Sequence, residues 1–425
     1  TPGGFPAVTV EGARVHSHIG IDLGRDVDLP AAAWGGTGQD TPAAVRLRQV
    51  TVALGGARAL WSWATYFDHA RLQRRLAAAA PAGEAYIILA VDLGAAPGWW
   101  PAQQADAAAA RVSDFNPAWR AYCRQALRRL IAAVNASDHA ERVIGFNLLL
   151  GPWRNYCMPS GRVANARCHD RFRAWLTERY AADAALQRAW QEPGAALAEA
   201  RPLPPGRAGG QRVGVLWHPG SSARWHDSQR FYNESWLEFM LDLCAWVKEL
   251  TGDRLLCGLS NGPALYMNEL WNARRPASLG ALRPLLDSVD VDFVELPADD
   301  TDPRPAVGAV GNELLLARAL RRRQKLLFVR TPLAYYAGLS PAERASCLRR
   351  RFAAMLASGT GWWLTASSAD ELALPGLTAE LENYARIQKQ EPPVSTPPAT
   401  VSPCSASAAC ITARRFWNVL RIRLI

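Results

Sequence analysis

Three carboxylates fall where short apolar runs end: Asp22, Asp92 and Glu295, with Asp299, Asp300 and Asp302 just beyond the last. A carboxyl group buried at a strand end can keep its proton to higher pH and act as a general acid. Glu295 is the best acid/base candidate on these grounds, with Asp92 beside it. Arg154 and Arg330 stand at the ends of two other runs. A guanidinium there either pairs with a neighbouring carboxylate, Glu295 for Arg330, or faces a pocket and favours an anion such as a uronate, sulfate or phosphate. Aromatic side chains crowd the same places: Trp99, Trp100, Trp153, Tyr156, Trp362 and Trp363. Such rings stack on the apolar faces of sugars, and they also fill cores. Within the Trp362–Trp363 pair the two-residue period of a strand sends one ring inward and one outward. Asn147, Asn155 and Asn261 add hydrogen-bonding amides.

Other chemistries find less support. His16 and His18 share a strand face, but no third ligand accompanies them, so no metal site is expected. Gly-x-Ser-x-Gly and phosphate-loop patterns are missing, and no cofactor is implied. The net charge of +10 invites a nucleic-acid reading. However, lysine occurs only at Lys248, Lys325 and Lys389, and the arginines are spread over helical segments, so solvated helix faces are expected and no nucleic-acid partner. Cys123, Cys244, Cys257 and Cys347 fall on apolar positions and read as buried thiols. Cys157 with Cys168, and Cys404 with Cys410, are possible disulfides. No apolar run is long enough to span a membrane.

Eight apolar runs, bounded by Gly, Pro, Asn or Asp, read as buried parallel strands. They are Val15–Asp22, Arg58–Ala64, Ala85–Leu93, Val143–Leu150, Arg254–Asn261, Asp290–Leu296, Lys325–Thr331 and Gly359–Ala366. Amphipathic helices fall between them, including 117–135, 235–250 with Gly252 as its C-cap, and 341–357 opened by Ser340-Pro341. Strands alternating with helices predict an α/β fold, a (β/α)8 TIM barrel, with an open doubly wound sheet as the alternative. Residues 151–253 are too long for one crossover and form an insertion after strand four. The barrel is expected over 1–390. Residues 391–425 form a Pro/Ser/Thr/Ala-rich linker and a basic, apolar C-terminal tail that could support homo-oligomer assembly.

Several segments, in order, resemble the barrel of glycoside hydrolase family 42 and its beta-galactosidase-like relatives. They are Trp63–Leu76 (WATYFDHARLQRRL), Ala96–Trp100 (APGWW), Asn116–Arg120 (NPAWR), Arg142–Gly151 (RVIGFNLLLG), Phe172–Trp190 (FRAWLTERYAADAALQRAW), Trp246–Gly258 (WVKELTGDRLLCG), Val291–Pro297 (VDFVELP), Lys325–Thr331 (KLLFVRT) and Arg351–Trp363 (RFAAMLASGTGWW). The resemblance covers roughly residues 55–365 and implies a glycoside-binding mouth at the C-terminal ends of the strands. It further implies retaining hydrolysis by two glutamates, after strands four and seven, about 5–5.5 Å apart.

The sequence departs from that pattern at both places. The acid/base glutamate falls at Asn155, or at Tyr156 with a one-residue slip, and the nucleophile falls at Arg330. No acid occurs between Glu141 and Asp170 or between Glu313 and Glu343. An amide donates no proton at neutral pH, and a guanidinium has no usable lone pair for attack on carbon. Three readings follow: a pseudoenzyme that binds carbohydrate or polysaccharide, an anionic one included; a barrel retained as a scaffold; or an active glycosidase using other carboxylates such as Glu295 and Asp92. In the first, Trp99, Trp100, Trp153, Arg154, Asn155, Tyr156, Asn261, Glu295, Arg330 and Trp363 are the ligand-binding residues. A chain that opens at Thr1 fits an exported, processed protein, extracellular or periplasmic, or a fragment.

Overall fold

The computed structural model describes residues 7–10, 13–16, 19–22, 47–55, 59–61, 66–80, 85–100, 115–149, 166–203, 212–213, 216–217, 223–260, 282–296, 313–366, 371 and 374–390. Eight parallel strands close into a barrel: β1 (Ile19–Asp22), β2 (Leu47–Ala53), β3 (Tyr86–Asp92), β4 (Val143–Leu149), β5 (Leu256–Ser260), β6 (Phe293–Leu296), β7 (Leu326–Pro332) and β8 (Gly361–Thr365). They follow one another round the barrel in chain order, and β8 pairs with β1. This is the (β/α)8 architecture expected from the alternation of strands and helices.

The helices are α1 (His69–Ala79), α2 (Pro117–Asn135), α3 (Ala166–Tyr180), α4 (Asp183–Trp190), α5 (Ala223–Thr251), α6 (Leu282–Asp287), α7 (Glu313–Arg322), α8 (Pro341–Ser358) and α9 (Leu377–Gln390). Their starts are written in the sequence. Asn116 Oδ1 accepts from Ala118 N at 3.1 Å, with Pro117 at the first helical position of α2. Ser340 and Glu343 exchange hydrogen bonds in a capping box at α8. Gly252, with φ 60°, follows α5 as expected of a C-cap. The long insertion after β4 holds α3, α4, a short hairpin (Arg212–Val213 with Leu216–Trp217) and α5.

Two strands differ from the sequence-based expectation. The second is Leu47–Ala53, not Arg58–Ala64; in the latter, Trp61 is buried in an aromatic cluster beyond the strand end. The first is shorter than expected, because Ala13–His16 pairs antiparallel with Ala7–Val10 in a separate hairpin. His16 therefore ends a hairpin strand, and His18 lies outside the described residues. Cys168 is buried on α3, and its supposed partner Cys157 is not among the described residues. Cys123, Cys244, Cys257 and Cys347 are buried, as their apolar positions imply. The tail from 391 lies outside the described residues.

Alternate residues on each strand point to opposite sides of the wall. Inside the barrel Leu47, Tyr86, Ile88, Ile144, Leu256, Phe293, Phe328 and Trp363 form one buried cluster. Outside it, Ile87, Leu89, Phe146, Leu148, Leu259, Val294, Leu327, Val329, Trp362 and Leu364 meet the apolar stripes of the helices. The two tryptophans of the pair thus part as the strand period requires. Gly258 has no side chain because the Phe293 ring occupies that space, only 2.2 Å from where a Cβ would stand.

Candidate functional site

The stagger of the barrel decides which side chains share a level. Gln49 is in register with Ile88, and Ile88 with Gly145. Strand tilt makes the level neighbour across two strands the residue two further on, Asn147. The same step leads from Asn147 to Glu295, from Glu295 to Trp363, and from Trp363 back to Gln49. The four even-numbered strands therefore contribute one layer: Gln49, Asn147, Glu295 and Trp363. The odd-numbered strands place Ala90, Ser260 and Arg330 in the layer above, with Asp22 at the corresponding register position of β1.

Below this level the interior is apolar; here it becomes polar and centres on Glu295. That carboxylate is fully buried. Its Oε2 accepts from Gln49 Nε2 at 3.0 Å and Asn147 Nδ2 at 2.9 Å. Its Oε1 accepts from Ser260 Oγ at 3.3 Å and lies 2.7 Å from Arg330 Nη2. Asn147 Nδ2 also reaches Gln49 Oε1 at 3.2 Å. Three hydrogen-bond donors and a guanidinium, from four strands, suit an ionised carboxylate. The Arg330 side chain lies over it and keeps 19% of its surface exposed, against 0% for Glu295. The pairing of Glu295 with Arg330, one of the two outcomes the sequence allows, is present.

Other candidate residues stand elsewhere. Asp92 ends β3 at a higher level, where its Oδ1 accepts from Gly94 N at 2.8 Å. Trp100 is buried in a cluster with Trp99, Trp119 and Tyr122, while Trp99 is half-buried and donates Nε1 to Trp61 O at 2.9 Å. Trp363 is fully buried and stacks on Phe328, with ring centroids 5.1 Å apart. Protein covers the faces of Trp100 and Trp363, so both act as filling. Trp153, Arg154, Asn155, Tyr156 and Asn261 lie outside the described residues, as do Asp299, Asp300 and Asp302. Gln49 and Ser260 are site residues that sequence reasoning misses. Only the layer rule, applied to the correct second strand, would have found Gln49.

At the opposite end of the barrel two of the three lysines are buried near Asp292. Lys248 Nζ donates to Leu255 O at 3.0 Å and to Asp292 Oδ2 at 2.5 Å. Burial opposes its charge, but Asp292 holds its pKa above the ordinary value. Lys325 Nζ donates to the carbonyls of Ser288 and Val291, and burial lowers its pKa to about 8. Among the described residues no group of three His, Cys, Asp or Glu could hold a metal ion. No described helix is long and apolar enough to cross a membrane.

No protein-family model matches the sequence, and no curated protein matches it. Solved structures do match the fold. The catalytic domain of the beta-amylase from Paenibacillus polymyxa aligns with a TM-score of 0.61 at 11% identity, over 88% of this chain and 99% of that one. The beta-galactosidase from the psychrophilic Marinomonas ef1 aligns with a TM-score of 0.55 at 12% identity, over 87% of this chain and 59% of that one. The chain shares their barrel fold. At these identities the likeness carries the architecture alone, and this chain spans little more than half of the galactosidase.

Proposed function

We propose that this barrel binds carbohydrate at the C-terminal mouth of its strands and does not carry out retaining glycoside hydrolysis. The observation that carries the second half is the state of Glu295. A retaining nucleophile must present an ionised oxygen to the anomeric carbon. Both Glu295 oxygens accept hydrogen bonds from the protein, and the carboxylate is fully buried and ion-paired with Arg330. The resemblance to family 42 puts the nucleophile at Arg330 itself, which is now the partner of that carboxylate. Carbohydrate binding is supported by that resemblance and by the barrel's likeness to a beta-amylase and a beta-galactosidase.

A glycan array run beside a hydrolysis assay on the same glycans tests the proposal. Binding without turnover is the expected result. Turnover that disappears in Glu295→Gln would show that the carboxylate is catalytic and overturn the proposal. Absence of both binding and turnover would leave the barrel as a scaffold.

A further inference from the structure

Helix α5 and strand β5 follow one another in the chain and are pinned together at one carboxylate. Asp292 Oδ2 accepts from Lys248 Nζ on α5 at 2.5 Å and from Cys257 N on β5 at 2.7 Å. Cys244 lies one turn before Lys248, on the buried stripe of α5 that also holds Met240 and Val247. On β5, Leu256 belongs to the cluster inside the barrel, so the pleat turns Cys257 outward to the helix layer. There the two thiols meet: Cys257 is in hydrogen-bonding contact with Cys244.

Both thiols are fully buried. Burial pushes the Cys257 thiol well above its ordinary pKa, so in the folded chain it is protonated and closed to reagents. Before the core closes, the same two cysteines are exposed thiols on either side of a short loop, with Lys248 between them to favour a thiolate. Burial thus blocks the pair from reacting late and would protect a bond made early.

We propose that Cys244 and Cys257 close to a disulfide when the chain folds in an oxidising compartment. The oxidant is a low-molecular-weight disulfide such as oxidised glutathione. One cysteine thiolate attacks it and releases one thiol; the other cysteine attacks the mixed disulfide and releases a second. The two electrons and two protons lost by the pair leave on the two released thiols. The bond staples the helix that carries the insertion to the barrel wall. Helices α3 and α4 hang on the N-terminal half of α5, through Trp175 Nε1 to Glu234 Oε2 at 2.7 Å and through Tyr180 Oη and Trp190 Nε1 to Asp227 Oδ2 at 2.7 and 2.8 Å.

The test produces the full chain in the periplasm and in the reducing cytosol of a bacterial host. Each product is alkylated under denaturant and digested with trypsin without reduction. Cys244 then lies in peptide 231–248 and Cys257 in peptide 255–274, each with a single cysteine. The two peptides should appear linked in the periplasmic product, lighter by two hydrogen atoms than their sum, and separate and alkylated in the cytosolic one. The cytosolic product, held folded in oxidised glutathione, should stay unlinked. Closing a loop of about 15 residues should raise Tm by about 5 °C over the cytosolic product, and Cys244→Ala made in the periplasm should lack that gain. Alkylated Cys244 and Cys257 in the periplasmic product would overturn the proposal, as would either cysteine linked elsewhere. A linked product whose Tm is unchanged or lowered would overturn the staple. Linkage in the folded cytosolic product would overturn closure during folding. Peptide analysis decides the matter even where Cys244→Ala fails to fold.

Discussion

Arg330→Met leaves the Glu295 carboxylate buried with three neutral donors and without the one counter-charge seen among the described residues. At an effective dielectric of about 20, opposite charges about 4 Å apart attract by about 4 kcal/mol. Breaking a buried pair by removing one partner costs about 3–5 kcal/mol. Arg330 keeps 19% of its side-chain surface in solvent, so the lower end, about 3 kcal/mol, is expected. Glu295→Gln removes the charge but turns an amide N–H toward donors that need an acceptor, a loss of about 2–3 kcal/mol. In the double variant neither a lone charge nor a cationic donor remains. Its loss should fall short of the sum of the single losses by about 2 kcal/mol. Urea unfolding of the four proteins at pH 7 measures each quantity, provided the m-values agree. Additive losses within about 0.5 kcal/mol would refute the ion pair as the organising contact of the barrel interior.

Further outcomes follow from other parts of the barrel. Lys325 has its pKa lowered from 10.5 to about 8 by burial. Unfolding therefore takes up a proton between those values, and the resulting penalty is complete below about pH 8 and relieved as pH rises toward 10.5. At 1.36 kcal/mol per pH unit the full relief is about 3 kcal/mol. Relative to Lys325→Met, the wild type should gain stability from pH 8 to pH 10 in urea unfolding; parallel profiles would contradict this. Gly258→Ala should cost about 1–3 kcal/mol by driving a methyl into the Phe293 ring, and Phe293→Leu in that background should recover part of it. No recovery would mean that the strain lies elsewhere.

Much of the fold is legible in the sequence where strands are unbroken apolar runs. Ala85–Leu93 and Val143–Leu150 contain β3 and β4 almost residue for residue, because both their faces are buried. Strand β2 hides because LRQVTVA carries Arg48 and Gln49, which suggest a solvent face. Both are buried: Gln49 belongs to the polar layer inside, and Arg48 lies on the other side, where burial lowers its pKa to about 10. The nearby tryptophan-rich run imitates a strand, but its indoles serve as packing beyond the strand end. The same bias affects the site. Glu295 and Arg330 can be paired from the adjacency of strands six and seven, whereas Trp100 and Trp363 read as ligand contacts only until their burial is seen. Polar residues inside a barrel and aromatic residues in its wall both invert the usual signal, and both occur at the level of Glu295.

A barrel that binds glycans without retaining hydrolysis must show contact with a sugar and no cleavage of it. Saturation-transfer NMR of neutral oligosaccharides with the intact chain tests both halves in one sample, since sugar protons report contact and anomeric signals report cleavage. Saturation transfer to the sugar is expected, with anomeric signals unchanged over days. New anomeric signals that vanish with Glu295→Gln would contradict it.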